Sequence, residues 1–351
     1  MKRRNFVYQL GITGLSYPLL SFGTNADFPV FSNEKTIKPK ALKKGDTIGI
    51  VSPAGAIFES EPYEIARESF EAMGLNVKFG KYTRSRYGHL AGTDHERAEE
   101  LNEMFRDKNI HGIIALRGGS GSARILDKLD YKSISENPKV FVGYSDITAL
   151  HLAIYRKTGL VTFHGPVAVS SWNQFSFDYF QRLLFEAESL TYTNPQIKGN
   201  LFTQTNNRIR TIQTGKATGE LLGGNLSVLT SLMGTPYFPK NWKNKILYLE
   251  DIGEKIYAVD RMMSQLKLGG VLEEISGFVF GKCNACDPGG SGYGSLTMEE
   301  VMDHYIKPLG IPAFSGAMIG HIDENSTIPN GIKAEMNAEA GSIQLLDPAV
   351  N

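Results

Sequence analysis

Between Thr47 and Phe163 the sequence switches repeatedly between short apolar runs and stretches of helical period, and this alternation restricts the possible folds more than any other feature. Thr47-Ile48-Gly49-Ile50-Val51 is an apolar run ended by Ser52-Pro53-Ala54-Gly55, the pattern of a buried strand delivering a loop. Tyr63, Ala66, Phe70 and Met73 then recur at helical spacing, and Gly74 stops that helix. Leu75, Val77 and Phe79 alternate as a strand, Asp94 is the expected cap of a helix bearing Leu101, Met104 and Phe105, and Ile110 to Leu116 is the next apolar strand. Lys139 to Gly143, Ile147 to Lys157 and Leu160 to Phe163 continue the series as strand, helix and strand. Such an order predicts an α/β doubly wound parallel sheet. Ligands of these sheets sit beyond the carboxyl ends of the strands, which singles out the loops Ser52 to Gly55, Arg117 to Ser122 and Gly143 to Asp146.

From Ser170 to Thr214 the pattern breaks into polar and aromatic residues without a sustained period, which predicts a connection between domains over residues 171–215. A second unit, residues 216–351, is expected to hold a helix from Asn225 to Met233, a strand from Ile246 to Leu249, a helix from Tyr257 to Leu268, a strand from Ile275 to Phe280, and short strands to the end. A chain of 351 residues, 41% hydrophobic, is long enough for two cores of ordinary size. Its 37 Lys and Arg balance 37 Asp and Glu, so no overall field draws it to nucleic acid or anionic lipid. A small or short-chain partner is expected.

The chain begins Met-Lys-Arg-Arg-Asn-Phe, continues through a weakly apolar stretch from Val7 to Phe22, and reaches small residues at Thr24-Asn25-Ala26. Residues 1–26 therefore read as an export signal, with an Arg3-Arg4-Asn5-Phe6 start similar to a twin-arginine signal, and residues 27–41 as a linker. Pro18 and interspersed polar residues argue against a membrane span. The expected location is periplasmic or exported, and cytoplasmic if the leader does not function. Two cysteines, Cys283 and Cys286, stand at a spacing that fits a redox pair or half a zinc site. The other half of a zinc site is missing, so plain loop thiols are the ordinary reading, and a periplasmic location would let them pair.

Val140-Phe141-Val142-Gly143-Tyr144-Ser145-Asp146-Ile147-Thr148 runs from a strand through a tight turn into a helix, with a hydroxyl at the junction. That is the layout of a nucleophile elbow, although Ile147 stands where the Gly-x-Ser-x-Gly pattern has its last glycine. Helix capping by Ser145 or Asp146 is the competing reading. Arg117-Gly118-Gly119-Ser120-Gly121-Ser122 also joins a strand to a helix; its spacing matches no nucleotide-binding loop and suits an oxyanion donor beside Ser145. A serine nucleophile needs a base. His151 has packing or exposure as its default, whereas His164 and His321 each sit at a strand end beside Gly, and spacing alone does not choose between them. Glu250 and Asp251 end an apolar strand and are the candidates to hold an imidazole, with Glu254 as a further choice.

Taken together, several segments resemble the LD-carboxypeptidase family of serine peptidases from about Leu42 to Pro348. They are Gly45-Asp46-Thr47-Ile48-Gly49-Ile50-Val51-Ser52-Pro53, Leu90-Ala91-Gly92-Thr93-Asp94, Arg117-Gly118-Gly119 and Gly143-Tyr144-Ser145-Asp146-Ile147-Thr148. Further on come Gly219-Glu220-Leu221-Leu222-Gly223-Gly224-Asn225, Leu249-Glu250-Asp251, and Gly320-His321 with Asn325 and Pro329-Asn330-Gly331. The resemblance implies Ser145 as nucleophile, His321 as base, Glu250 as the residue that orients it, and backbone N–H groups of Gly119 and Asp146 as an oxyanion hole. It also implies a flavodoxin-like N-terminal domain over residues 42–170, a β-rich α+β C-terminal domain, a homodimer, and neither metal nor cofactor. The implied reaction releases D-alanine from the L-centre of a diamino acid in a peptidoglycan tetrapeptide. The alternatives are an amidase acting on peptidyl or aminoacyl nucleotides, as in microcin self-immunity, and a non-catalytic periplasmic binding protein. Ser120 departs from the Tyr common after Arg-Gly-Gly in the family, which bears on substrate preference.

Overall fold

A computed structural model describes residues 36–197, 199–288 and 294–351; the expected export signal, and the expected linker as far as residue 35, lie outside the described residues. The five apolar runs of the first half become strands β1 (Thr47–Val51), β2 (Asn76–Phe79), β3 (Gly112–Ala115), β4 (Val140–Gly143) and β5 (Thr162–His164). They pair in parallel in the order β2-β1-β3-β4-β5, which is the flavodoxin-like order. β3, β4 and β5 are buried along their whole length, as continuous apolar runs require, whereas β2 is the edge and alternates.

Helix α1 (Glu61–Ala72) buries the expected Tyr63, Ala66 and Phe70 and is followed by Gly74 with φ of 86°. Helix α2 (Asp94–Arg106) is capped by Thr93 rather than by Asp94, which corrects the expectation. The extended backbone of Thr93 turns its hydroxyl to the N–H of Glu96 at 3.3 Å, and the Glu96 carboxylate returns to the Thr93 N–H at 2.7 Å. Asp94 becomes the first helical residue and binds Arg97 and Arg124 instead. Helices α3 (Tyr131–Glu136) and α4 (Thr148–Thr158) complete the layer, and Gly159 ends α4 in the left-handed region at φ of 73°.

The segment expected to be a connection holds a helix, α5 (Gln174–Leu184), then β6 (Thr191–Tyr192) and β7 (Arg210–Gln213). Phe180 of α5 and Trp172 close over Phe70 of α1, with ring centroids 5.1–6.4 Å apart, so this segment covers the first sheet. Burying a side chain as large as Phe180 stabilises by about 2–3 kcal/mol. The second sheet contains β8 (Lys216–Asn225), β9 (Lys245–Ile252), β10 (Gly277–Asn284), β11 (Ala313–Ser315), β13 (Lys333–Asn337) and β14 (Ser342–Leu345) in the order β6-β14-β13-β8-β9-β10-β11-β7. β8 to β11 run parallel and the flanking pairs antiparallel.

Strand β12 (Ile328–Asn330) leaves this half of the chain and adds antiparallel to β5 of the first sheet. Asn330 at its end accepts from the Gly223 N–H and the Tyr248 hydroxyl, both at 2.9 Å, so one buried amide joins β12 to β8 and β9. Gly223-Gly224-Asn225 in turn lies against the start of α4: the Asn225 N–H donates to Thr148 Oγ1 at 3.0 Å, and a Cβ on Gly224 would stand 2.6 Å from that oxygen. These contacts set the carboxyl ends of β4, β5 and β9 beside one another.

Candidate active site

Ser145 leaves the end of β4 with φ of 63°, a left-handed conformation that costs a residue with a Cβ on the order of 1–2 kcal/mol. Small neighbours and tight packing hold it there. A Cβ on Gly143 would meet Ile147 at 2.9 Å, so the fully buried Ile147 fills from below the room that the elbow pattern otherwise opens with its last glycine. A Cβ on Gly118 would lie 2.8 Å from Ser145 Cβ and 3.1 Å from its Oγ, which puts the Arg117–Ser122 loop directly against the hydroxyl. Neither Ser145 nor Asp146 caps its own turn. The Asp146 carboxylate instead accepts from the Ser122 N–H at 2.8 Å and pins the neighbouring loop.

Gly119 has φ of 117°, and a Cβ there would come within 3.4 Å of Gly55 Cα. Among the described residues no acceptor is found for the N–H of Gly119 or of Asp146. Two buried charges tie the loops together. Arg97 donates to the carbonyls of Pro53 and Gly121, and Glu100 accepts from the N–H groups of Ser52 and Tyr82 at 2.9 and 2.6 Å. Burial pushes the Glu100 carboxyl up, and its four hydrogen-bond contributions oppose that rise. Ser120 is exposed on the loop rim.

His321 Nδ1 lies 2.7 Å from Glu250 Oε2, so the imidazole hands its Nδ1–H to a carboxylate with 0% exposure and leaves Nε2 without the proton. Gly320, at φ of 127°, makes this approach possible, because a Cβ there would sit 2.8 Å from Glu250 Oε2. Asp251 faces elsewhere: it accepts from Asn225 Nδ2, the Ser227 N–H and the Ile252 N–H at 2.9–3.0 Å, and burial pushes it up to about 6. Of the three acids considered for holding an imidazole, Glu250 is the one on His321. His151 is buried, with Nε2 2.8 Å from the Gly143 carbonyl, and burial lowers it to about 4.

His321 and Tyr144 pack with ring centroids 4.7 Å apart and planes tilted by 58°, and line a cleft of about 320 Å³ with Pro166, Val169, Ser170 and Asn325. Burial, with the Glu250 charge behind it, pushes the Tyr144 phenol up, and Arg117 lies near enough to oppose the rise. Cys283 and Cys286 form a disulfide at the end of β10, in register with Asp251, so the loop-thiol reading is replaced by a pair. Tyr144, Thr148, Arg97 and Glu100 were not anticipated as site supports. A charged pair on one face of a helix otherwise built from Leu101, Met104 and Phe105 was the signal for the last two.

Models of the LD-carboxypeptidase N-terminal and C-terminal domains match residues 48–165 and 218–336. The chain belongs to the LD-carboxypeptidase family. It is thus a hydrolase of the serine-type carboxypeptidases. A probable murein peptide carboxypeptidase of Bacillus subtilis is 41% identical over 86% of this chain and 91% of its own. The structure of the microcin C7 self-immunity protein MccF in complex with glutamyl sulfamoyl guanosine aligns with a TM-score of 0.80 at 29% identity, covering 90% of this chain and 99% of that one. The muramoyltetrapeptide carboxypeptidase from Oxalobacter formigenes aligns at 0.72 and 28% identity, over 85% and 97%.

Proposed function

We propose that this family member hydrolyses the amide between the L-centre of a diamino acid and a terminal D-alanine in murein tetrapeptides, through Ser145, His321 and Glu250. The observation that carries the reading is the Glu250–His321 hydrogen bond on the wall of the cleft that Tyr144 borders, one residue before the strained serine. Ser145 Oγ attacks the scissile carbonyl while His321 Nε2 takes its proton, and Glu250 offsets the imidazolium charge. The N–H groups of Gly119 and Asp146, without an acceptor among the described residues, receive the tetrahedral oxyanion. His321 then gives its proton to the departing D-alanine amine, and water releases the acyl group by the same steps.

An enzyme that removes one terminal residue also needs a cation for the free carboxylate. Arg117 fills that role in this reading. It is exposed, has no acidic partner among the described ion pairs, and its guanidinium lies 3.8 Å from where a Gly119 Cβ would stand. The murein substrate class rests on the names of the Bacillus and Oxalobacter relatives. We also read residues 1–26 as an export signal to the periplasm, which the Cys283–Cys286 disulfide supports because such bonds persist in oxidising compartments, and the working form as a homodimer, which the family resemblance supports.

Mass spectrometry of a muropeptide tetrapeptide incubated with the protein and with Ser145→Ala tests the reaction. Loss of one D-alanine with the first alone is the expected result. Loss with neither, together with cleavage of an aminoacyl sulfamoyl nucleoside, would replace it by the amidase reading that the similarity to MccF favours.

A further inference from the structure

Glu250 faces two histidines. Its Oε2 meets His321 Nδ1 at 2.7 Å, and its Oε1 lies 4.0 Å from His164 Nε2. Among the described residues Oε1 has no donor, and neither ring nitrogen of His164 has a partner. Both side chains have 0% exposure, so water does not satisfy them from bulk, and a buried acceptor left alone costs the desolvation of that atom. An unpaired carboxylate oxygen and an unpaired imidazole nitrogen thus lie 4.0 Å apart inside the protein.

His164 is fixed in that position. It ends β5, paired with Gly143 of the nucleophile strand on one side and Ile328 on the other. Tyr144 and Tyr248 contact its ring edge-on at 6.1 and 5.7 Å. Burial, then the nearby His151 and His321, hold it well below the ordinary histidine range, so it is neutral and carries a single N–H. Among the described residues no other acceptor competes for that proton, because Nδ1 has none.

We propose that His164 is a positioning residue whose Nε2–H donates to Glu250 Oε1, so that one carboxylate is held between two histidines. A small shift of the Glu250 carboxylate toward the strand-fixed His164 closes the separation by about 1 Å to a hydrogen bond as charge develops on His321. His164 then prevents the carboxylate from rotating away from Nδ1. The inference rests on the serine-peptidase reading of Ser145, His321 and Glu250. The titratable groups around it are Glu250, His321, His151, Tyr144 and Tyr248; Asp251 is engaged with Asn225, Ser227 and Ile252, and Arg117 and Asp323 act only at the Tyr144 rim.

Without the donor, Glu250 is a poorer anion alone and holds the His321 imidazolium more tightly. The acid limb of activity then moves to higher pH. The test is the pH profile of tetrapeptide kcat/KM and of Ser145 labelling by a fluorophosphonate, for the wild type, His164→Phe and His164→Gln. His164→Phe is expected to shift the acid midpoint upward by about half a pH unit or more. His164→Gln, whose amide N–H2 stands near the Nε2 position, is expected to restore it. An unmoved midpoint in His164→Phe, whatever the loss of rate or thermal stability, overturns the proposal. Nitrogen-15 NMR of histidine-labelled wild type gives a second decision: the Nε2–H tautomer of His164 supports it, and the Nδ1–H tautomer overturns it. Wild type that neither labels nor turns over strikes at the peptidase reading instead, and the tautomer still decides the hydrogen bond.

Discussion

Around Ser145 the contacts that fix the site are close approaches of backbone and small atoms, whereas around Glu250 they are hydrogen bonds of charges shut away from water. Gly118, Gly143 and Ile147 leave the serine turn no spare volume, and no ion pair touches it among the described residues. Glu250 is surrounded by His321, His164 and the backbone of Gly320, and its orientation depends on where protons sit. The first arm is therefore sensitive to added atoms and the second to changed protonation. Substitutions that alter only one of these properties separate the two arms.

The largest effect is expected from Glu250→Gln, which keeps volume and shape and changes only charge and protons. The new amide donates to His321 Nδ1, which moves the ring proton to Nε2 and blocks the base, so kcat should fall on the order of 10⁴-fold while KM changes little. Steady-state kinetics on the tetrapeptide measure it; a loss under tenfold would mean that proton placement does not govern this arm. Gly118→Ala is the opposite probe, since it adds one methyl and no charge. A Cβ 2.8 Å from Ser145 Cβ must displace the hydroxyl, and a displacement of this size typically costs about 100-fold in rate. If kcat survives with an unchanged thermal midpoint, the turn is not held by sterics.

Arg117→Ala touches neither the packing of the serine nor the protons of His321. Loss of one charge-assisted contact to a carboxylate is worth roughly 1.5–3 kcal/mol, so kcat/KM for the free acid should drop by about 10- to 100-fold. A substrate ending in D-alanine amide lacks the charge and should lose almost nothing. Equal losses for acid and amide would remove Arg117 from carboxylate recognition.

The same contrast explains what the sequence disclosed. The first sheet was legible because buried parallel strands read as unbroken apolar runs, and the serine turn because strand, small residue and hydroxyl are contiguous. The second arm is assembled from β9 and the segment after Gly320, and nothing in residue spacing chose His321 over His164; the family resemblance pointed to His321, whose Nδ1 lies 2.7 Å from Glu250 Oε2. Both histidines have a ring nitrogen within 4.0 Å of that carboxylate. Helix α5 escaped notice although Ser176, Tyr179, Phe180 and Leu183 follow helical spacing, because the half-buried Phe175 and Phe177 and the polar residues between them masked the period. The Thr93 cap was missed for Asp94 one residue later, since both residue types cap and only the backbone decides.

The smallest effect bears on the strain stored at the serine itself. Ser145→Ala and Ser145→Gly both remove the nucleophile, yet only glycine is at ease at φ of 63°. Apart from the one Cβ that alanine keeps against the Gly118 loop, the two variants share the contacts of the turn, so their difference reports mainly the backbone term. Glycine gives up about 0.5–1 kcal/mol in unfolded-chain entropy, against about 1–2 kcal/mol recovered from the left-handed conformation. Ser145→Gly should then be more stable than Ser145→Ala by up to about 1.5 kcal/mol in urea unfolding. Equal or lower stability would mean that the turn is not strained, and that its geometry is set by the surrounding packing without a cost carried at Ser145. A gain would show that the steric arm holds its serine against a local preference, which the electrostatic arm does not need to do, because Glu250 lies on an ordinary strand and the left-handed angle beside it falls on Gly320.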